Sequence, residues 1–101
     1  MSDEAYVIAA IDVDDWEAYR NEYLPTALER IEAHGGEVLV GTDEAEVVEG
    51  EWDANWTVVV EFPSAANARG FLSDDRYGEV VPVRHAAADS DMVLAPGFDP
   101  A

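Results

Sequence analysis

Arg84 is the residue whose chemistry and setting best suit the binding of a small molecule. It lies in the largely apolar stretch 83–88, and its guanidinium could hold a ligand carboxylate through two parallel hydrogen bonds. The alternative is an internal ion pair with Glu49 or Glu61. Because acidic residues are so abundant in this chain, the sequence favours the ion pair, yet Arg84 stays the first candidate for a functional role.

Glu61 and His85 are the other candidates for catalysis. Glu61 follows three valines in a segment predicted to be a central strand. A carboxylate there is costly unless it is paired, and a half-buried acid can act as a general base. Pairing with an arginine is the competing interpretation. The imidazole of His85 transfers protons best near neutral pH. Because successive helical residues point about 100° apart, at most one of Arg84 and His85 is expected to face a given pocket.

Aromatic side chains could form the walls of a ligand cavity. Tyr77, Trp52 and Tyr19 are the ligand-binding candidates, since their hydroxyl and indole groups would present hydrogen-bond donors to a flat, partly polar ligand. Trp52 lies in the acidic segment 49–53, outside any helical stripe. The alternative is that these are ordinary core or interface aromatics, and it is stronger for Tyr19, which belongs to a helical stripe.

No metal or cofactor site is predicted. The chain contains two histidines, His34 and His85, and no cysteine, which excludes thiolate chemistry and cysteine zinc sites. The two histidines are neither four residues apart nor separated by a single residue, which are spacings typical of metal ligands. His34 is expected at a helix end, where it would interact with the last carbonyl groups.

The charge of the chain is strongly unbalanced. Asp and Glu number 23 against five basic residues, all of them arginine, and the formal net charge is −18. Salt at 1 M shortens the screening length to about 3 Å and would make this self-repulsion tolerable. We therefore interpret the chain as a cytoplasmic protein of a halophile. The charge disfavours nucleic acid as a partner, and no apolar run reaches the roughly 20 residues of a membrane span.

The first third of the chain predicts a strand followed by a helix. Almost continuous apolar residues over 5–11 are typical of a strand covered on both faces. The helix is predicted over about 15–33, with a cap at Asp14 and a kink or break caused by Pro25. Gly35-Gly36 is expected to end it, since glycine takes the left-handed conformation without strain.

The middle of the chain predicts further strands and a second helix. Segments 37–41 and 45–50 are predicted as two strand pieces or as one long bent strand. The clearest strand is 56–62, in which alternate side chains point to opposite faces. Ser64 is expected to cap the helix that follows.

The last third predicts helical structure and a final strand. A short helical stretch is expected to open at 73–75, to restart at Pro82 and to end near Asp89. Residues 92–95 are predicted as the last strand.

These elements together predict a single α+β domain over 1–101 with the ferredoxin-like βαββαβ order and an antiparallel sheet. Two helices can cover only one face of such a sheet, although strands 5–11 and 56–62 offer apolar side chains on both faces. A large exposed apolar face usually marks an interface. We therefore predict a homodimer in which two sheets pack face to face, forming a dimeric α/β-barrel.

Several short motifs resemble those of the domain of unknown function 1330 family. They are Gly35-Gly36, Glu49-Gly50-Glu51-Trp52, the strand end Val58 to Ser64, Ser73, Tyr77 and Arg84. The resemblance extends from Tyr6 to about Ala95. It implies a dimeric α/β-barrel of ferredoxin-like subunits, and it implies no particular reaction.

Two hypotheses on function follow. In the first, a pocket between sheet and helices binds a small, anionic or aromatic molecule. Arg84 would grip its anionic group, Glu61 or His85 would move a proton without a cofactor, and Tyr77 and Trp52 would shape the walls. In the second, the chain is a structural or interaction homodimer without turnover, in which Arg84 and Glu61 form an internal pair.

Overall fold

The protein is described by a computed structural model that covers residues 3–100. Its elements run in the following order: β1 (Ala5–Val13), α1 (Trp16–Ala18), a π-helical segment (Tyr19–Tyr23), α2 (Leu24–Ala33), β2 (Glu37–Thr42), β3 (Trp56–Phe62), α3 (Ala65–Leu72), α4 (Asp75–Ala87) and β4 (Ala88–Pro96). Among these residues no helix is both long enough and apolar enough to cross a lipid bilayer.

The four strands form one antiparallel sheet in the order β2-β3-β1-β4. This order and the βαββαβ sequence of elements confirm the predicted ferredoxin-like α+β fold. All helices lie on one face of the sheet, where the inward residues of β1 and β3 are buried. We call this the inner face, and the opposite one the outer face.

The first helical region is split as Pro25 predicts. Proline has no N–H and clashes with the carbonyl four residues earlier, and the chain accommodates it by a wider turn in which the Leu24 N–H donates to the Tyr19 carbonyl, five residues back. Pro25 then occupies the first turn of α2. The cap predicted at Asp14 is wrong by one residue: the Asp14 N–H donates to the Ala87 carbonyl, and the Asp15 side chain caps α1.

Three other expectations about elements need correction. Segment 45–50 is not a strand, because its valines find nothing to pack against, and Val48 is 95% exposed. Helix α4 is continuous and contains Pro82. The proline ring is exposed, and the carbonyl that loses its helical hydrogen bond belongs to Gly78, which is exposed as well. Strand β4 begins at Ala88, earlier than predicted, since its first residues pair with the end of β1.

The end of α2 is tightly packed against β3. Gly35 has a φ of +79°, which confirms the predicted left-handed helix stop. A Cβ on Gly36 would lie 2.7 Å from both Ile31 and Phe62. The helix can therefore reach the fully buried Phe62 only because this position is glycine.

Candidate functional site

A cavity of about 190 Å³ lies between the inner face of the sheet and the helices. Leu28 of α2 and Val38 of β2 line it and are partly exposed, which places its mouth between that helix and the edge strand. The other lining side chains are apolar or aromatic: Val7, Ala9, Ile11, Tyr19, Tyr23, Leu24, Ala27, Ile31, Trp56, Val58, Val60, Phe71, Tyr77 and Met92. Within residues 3–100 no carboxylate or guanidinium lines this cavity.

Aromatic rings in mutual contact form one wall of the cavity. The ring centroids of Tyr19 and Tyr23 are 5.1 Å apart, those of Tyr23 and Tyr77 are 6.0 Å apart, and those of Phe71 and Tyr77 are 4.2 Å apart. Tilted and edge-on contacts at these distances are favourable. Tyr19 and Tyr23 are four residues apart and therefore lie on the same side of this helical region.

The hydroxyl groups of Tyr23 and Tyr77 share a buried hydrogen bond of 2.8 Å. Burial, together with the neighbouring Tyr77, raises the pKa of Tyr23 well above its usual range. Burial also raises the pKa of Tyr19 to about 12. Tyr19 and Tyr23 are therefore protonated at neutral pH and serve as hydrogen-bond donors, not as bases.

The side chain of Trp56 lines the cavity, and its buried indole nitrogen has no hydrogen-bond partner of standard geometry among the described residues. Interaction with Trp56 acts to lower the pKa of Tyr19, against the effect of burial. Asn55 fixes the start of β3 here, since its side-chain amide bonds to both the N–H and the carbonyl of Val13.

Arg84 is buried without a counter-ion. Only 7% of the residue is exposed, and its Nε has no hydrogen-bond partner among residues 3–100. The guanidinium carbon lies over the Tyr23 ring, 5.6 Å from its centroid, in a cation–π arrangement. The predicted ion pair with Glu49 or Glu61 is absent from the described part of the chain. Arg84 does not itself line the cavity; Tyr23, which it contacts, does.

Glu61 lies on the outer face of the sheet, away from Arg84. It accepts a hydrogen bond of 2.8 Å from the hydroxyl of Tyr6, its neighbour on β1. This bond raises the pKa of Tyr6. The strand period of two explains the separation: Val60 and Phe62 point to the core, so Glu61 between them must point outward.

His85 and Trp52 also lie apart from the cavity. His85 is exposed on α4, because it points about 100° away from its neighbour Arg84, which is buried. Trp52 is 45% exposed, donates a hydrogen bond to Thr57 and borders a separate acidic depression with Asp12, Asp53, Asp89 and Asp91. Across residues 3–100 no group of three or more histidine or acidic side chains could hold a metal ion.

An ion cluster at Asp74 connects α2 to α4, and the sequence analysis missed it. One carboxylate oxygen accepts hydrogen bonds from Arg30 (Nη2 at 2.9 Å) and from His34 (Nε2 at 2.8 Å). The other accepts from the N–H groups of Arg76 and Tyr77. Arg30, then His34, and then the Tyr77 N–H hold the pKa of Asp74 far below its usual range. His34 therefore bonds a carboxylate and not, as expected, the helix carbonyls.

The structure thus brings together only part of the predicted site. Tyr19 and Tyr77 line the cavity, and Arg84 adjoins it through Tyr23. The structure does not bring Glu61, His85 or Trp52 to this place. Trp56 was not among the candidates, although the alternation along β3 already put it on the same face as Val58 and Val60.

Comparison with known proteins supports the fold assignment. A protein of unknown function from Rhodopseudomonas palustris superposes with a TM-score of 0.80 and 21% identity, over 99% of this chain and 86% of that one. SnoaB, a cofactor-independent oxygenase from Streptomyces nogalater, superposes with a TM-score of 0.70 and 13% identity, over 97% of this chain and 96% of that one. Among curated proteins, no sequence matches the chain.

Fold and cavity together define an α+β protein of the ferredoxin-like class with a helix-covered sheet. The sequence profile of the family described as Domain of unknown function (DUF1330) matches residues 4–98. The chain belongs to this family, as its motifs indicated.

Proposed function

We propose that the protein binds a small, flat and mostly apolar molecule in the cavity between the sheet and the helices. The observation that carries this proposal is the cavity itself. Interiors of small domains are packed without voids much larger than a water molecule, and an apolar cavity of about 150 Å³ is large enough for benzene. The cavity here has about 190 Å³, which suits a molecule of one or two rings.

Arg84 acts on this ligand indirectly in our proposal. Because the guanidinium is separated from the cavity by the Tyr23 ring, the direct grip on a carboxylate is not supported. Its positive charge lowers the pKa of both Tyr19 and Tyr23 against burial. The same field favours a ligand whose electron-rich atom lies near these tyrosines.

The proposal concerns binding and includes no acid–base step. The two candidate proton carriers, Glu61 and His85, lie outside the cavity, and burial makes Tyr19 and Tyr23 poor bases. The oxygenase named above shares 13% of its sequence with this chain, so that the likeness concerns the fold alone.

A thermal-shift screen with a cavity-filling variant tests the proposal. Ala27 lines the cavity, and Ala27→Phe should occupy part of it, whereas Ala86→Phe places the same ring on the exposed side of α4. Small aromatic molecules in concentrated potassium chloride should raise the melting temperature of the wild type and of Ala86→Phe by mass action. The shift should be lost in Ala27→Phe. Equal shifts in all three proteins would show that the compounds bind elsewhere and would refute the proposal.

As a second function we propose a homodimer formed through the outer face of the sheet. Register places an apolar row across all four strands: Val40 lies opposite Val59, Val59 opposite Ile8, and Ile8 opposite Val93. Val93 is 59% exposed. An apolar row on a surface with this net charge is best explained by a second copy that covers it.

Light scattering coupled to size exclusion, in concentrated potassium chloride, tests the dimer. We expect a dimer for the wild type, a monomer for Val93→Arg and a dimer for the control Val48→Arg, which changes an exposed loop residue in the same way. A monomeric wild type would contradict the proposal.

A further inference from the structure

We propose that the Trp56 N–H and the Tyr19 O–H together receive one acceptor oxygen of the ligand, which is an uncharged aromatic ketone or a related carbonyl compound. This inference rests on the proposed binding function and adds the chemical class of the ligand.

The state of Trp56 is the first argument. An indole nitrogen can only donate a hydrogen bond, and nearly all buried donors in proteins have a partner. The Trp56 nitrogen is buried without one in the part of the chain that the structure describes, and its side chain lines the cavity. The Tyr19 oxygen does not make a hydrogen bond of standard geometry with it, so a ligand oxygen placed between the two groups would supply the missing acceptor.

Tyr19 supplies the second donor. The residue is 2% exposed, lines the same cavity as Trp56 and shares with it the ring contact of Trp16. Burial keeps its hydroxyl protonated, with a pKa of about 12. Trp16 fixes both side chains, since its ring packs edge-on against Tyr19 at 6.1 Å and against Trp56 at 5.8 Å. Two fixed donors at one place select an acceptor atom.

The surroundings argue for an uncharged ligand. No charged side chain lines the cavity within residues 3–100, and an ionised group taken into an apolar space without a partner is very costly. The net charge of −18 also repels anions. The nearby charge of Arg84, which acts on Tyr19, instead favours the negative end of a carbonyl dipole.

A pair of probes and a pair of tryptophan variants test this inference. 1-Indanone and indane share the same fused ring skeleton, but only indanone carries a carbonyl oxygen. Both are titrated calorimetrically, in concentrated potassium chloride, into wild type, Trp56→Phe, Tyr19→Phe and the control Trp52→Phe. Trp52 receives the same substitution outside the cavity.

We expect Trp56→Phe and Tyr19→Phe each to weaken indanone binding by about 3- to 10-fold, the value of one hydrogen bond. Because both residues line the cavity, indane binding reports the change that each substitution makes in the cavity wall. The ratio of the indanone affinity to the indane affinity therefore isolates the hydrogen bond, and this ratio should fall in both variants. Trp52→Phe should affect neither probe. Equal weakening of both probes by Trp56→Phe, or no weakening of indanone, would overturn the inference.

Failure of the two proposals would look different. If indane binds the wild type and indanone does not, the acceptor site is refuted while the cavity still binds apolar ligands. If neither probe binds the wild type, the proposed function fails, and the inference fails with it.

Discussion

Arg84→Met should stabilise the protein, although it removes a buried side chain. Methionine keeps much of the length and apolar volume of the arginine and removes its charge. A buried ion costs several kcal/mol even after relaxation of its surroundings, and the Arg84 charge has no counter-ion within residues 3–100. The buried, unpaired charge of Arg84 therefore destabilises the fold, and methionine at this position would remove that destabilisation.

The magnitude follows from three contributions. Loss of the cation–π contact with Tyr23 costs about 0.5–2 kcal/mol. Removal of the unsatisfied Nε donor increases the free energy of unfolding by about 1–3 kcal/mol. Removal of the buried charge increases it further. We expect a net increase of about 1–3 kcal/mol in the free energy of unfolding, which corresponds to a melting temperature higher by roughly 5–15 °C for a domain of this size.

Differential scanning fluorimetry in concentrated potassium chloride measures the effect, with Arg69→Met as the control. Arg69 is an exposed arginine of α3 without an ion pair in the described chain, so this variant changes the net charge equally. A melting temperature for Arg84→Met below that of Arg69→Met would refute the reasoning, because it would mean that Arg84 has a stabilising partner. Confirmation would mean that Arg84 is retained for a reason other than stability.

Three further predictions concern pH, the tyrosine pair and salt. Because Arg30 and its neighbours lower the pKa of Asp74, this carboxylate stabilises the fold above its unfolded pKa of about 4, and the contribution is lost as the pH falls below that value. The melting temperature of Asp74→Asn should therefore lie below that of the wild type at pH 7, with the gap beginning to narrow as the pH falls below about 4, whereas the control Asp43→Asn, in an exposed loop, should change the melting temperature little. In urea unfolding, Tyr23→Phe or Tyr77→Phe alone should each cost about 1–3 kcal/mol, and the double variant should cost clearly less than their sum; simple additivity would argue against the shared bond. Finally, the melting temperature of the wild type should fall steeply below roughly 0.5–1 M potassium chloride, and equal values in low and high salt would refute the halophilic interpretation.

Local patterns in the sequence were sufficient to predict the fold. The alternation over β3 correctly separated core-facing from outward-facing residues, Ser64 caps α3 as expected, and Pro25 splits the first helical region. Each of these features depends on residues within a few positions of one another. Segment 45–50 failed because strand propensity alone does not supply a neighbouring strand.

The site was harder to predict because its contacts join distant segments. Asp74 lies 44 positions from Arg30 and 40 from His34, and nothing in the local pattern of either helix marks them as partners. The abundance of acidic residues suggested a counter-ion for Arg84. Arg84 is buried between the helices and the sheet, however, and the carboxylates stay hydrated at the surface, out of its reach. Trp56 could have been placed by alternation; its lack of a hydrogen-bond partner could not.

The most direct test of the cavity as a binding site is a ¹H–¹⁵N spectrum of the indole groups during a titration with 1-indanone. The chain has three tryptophans, and single Trp→Phe variants assign their signals. We predict that the Trp56 indole signal shifts with saturation, while the Trp52 signal, from the opposite side of the sheet, stays in place. A titration that leaves Trp56 unchanged, or that shifts Trp52 alone, would contradict the account.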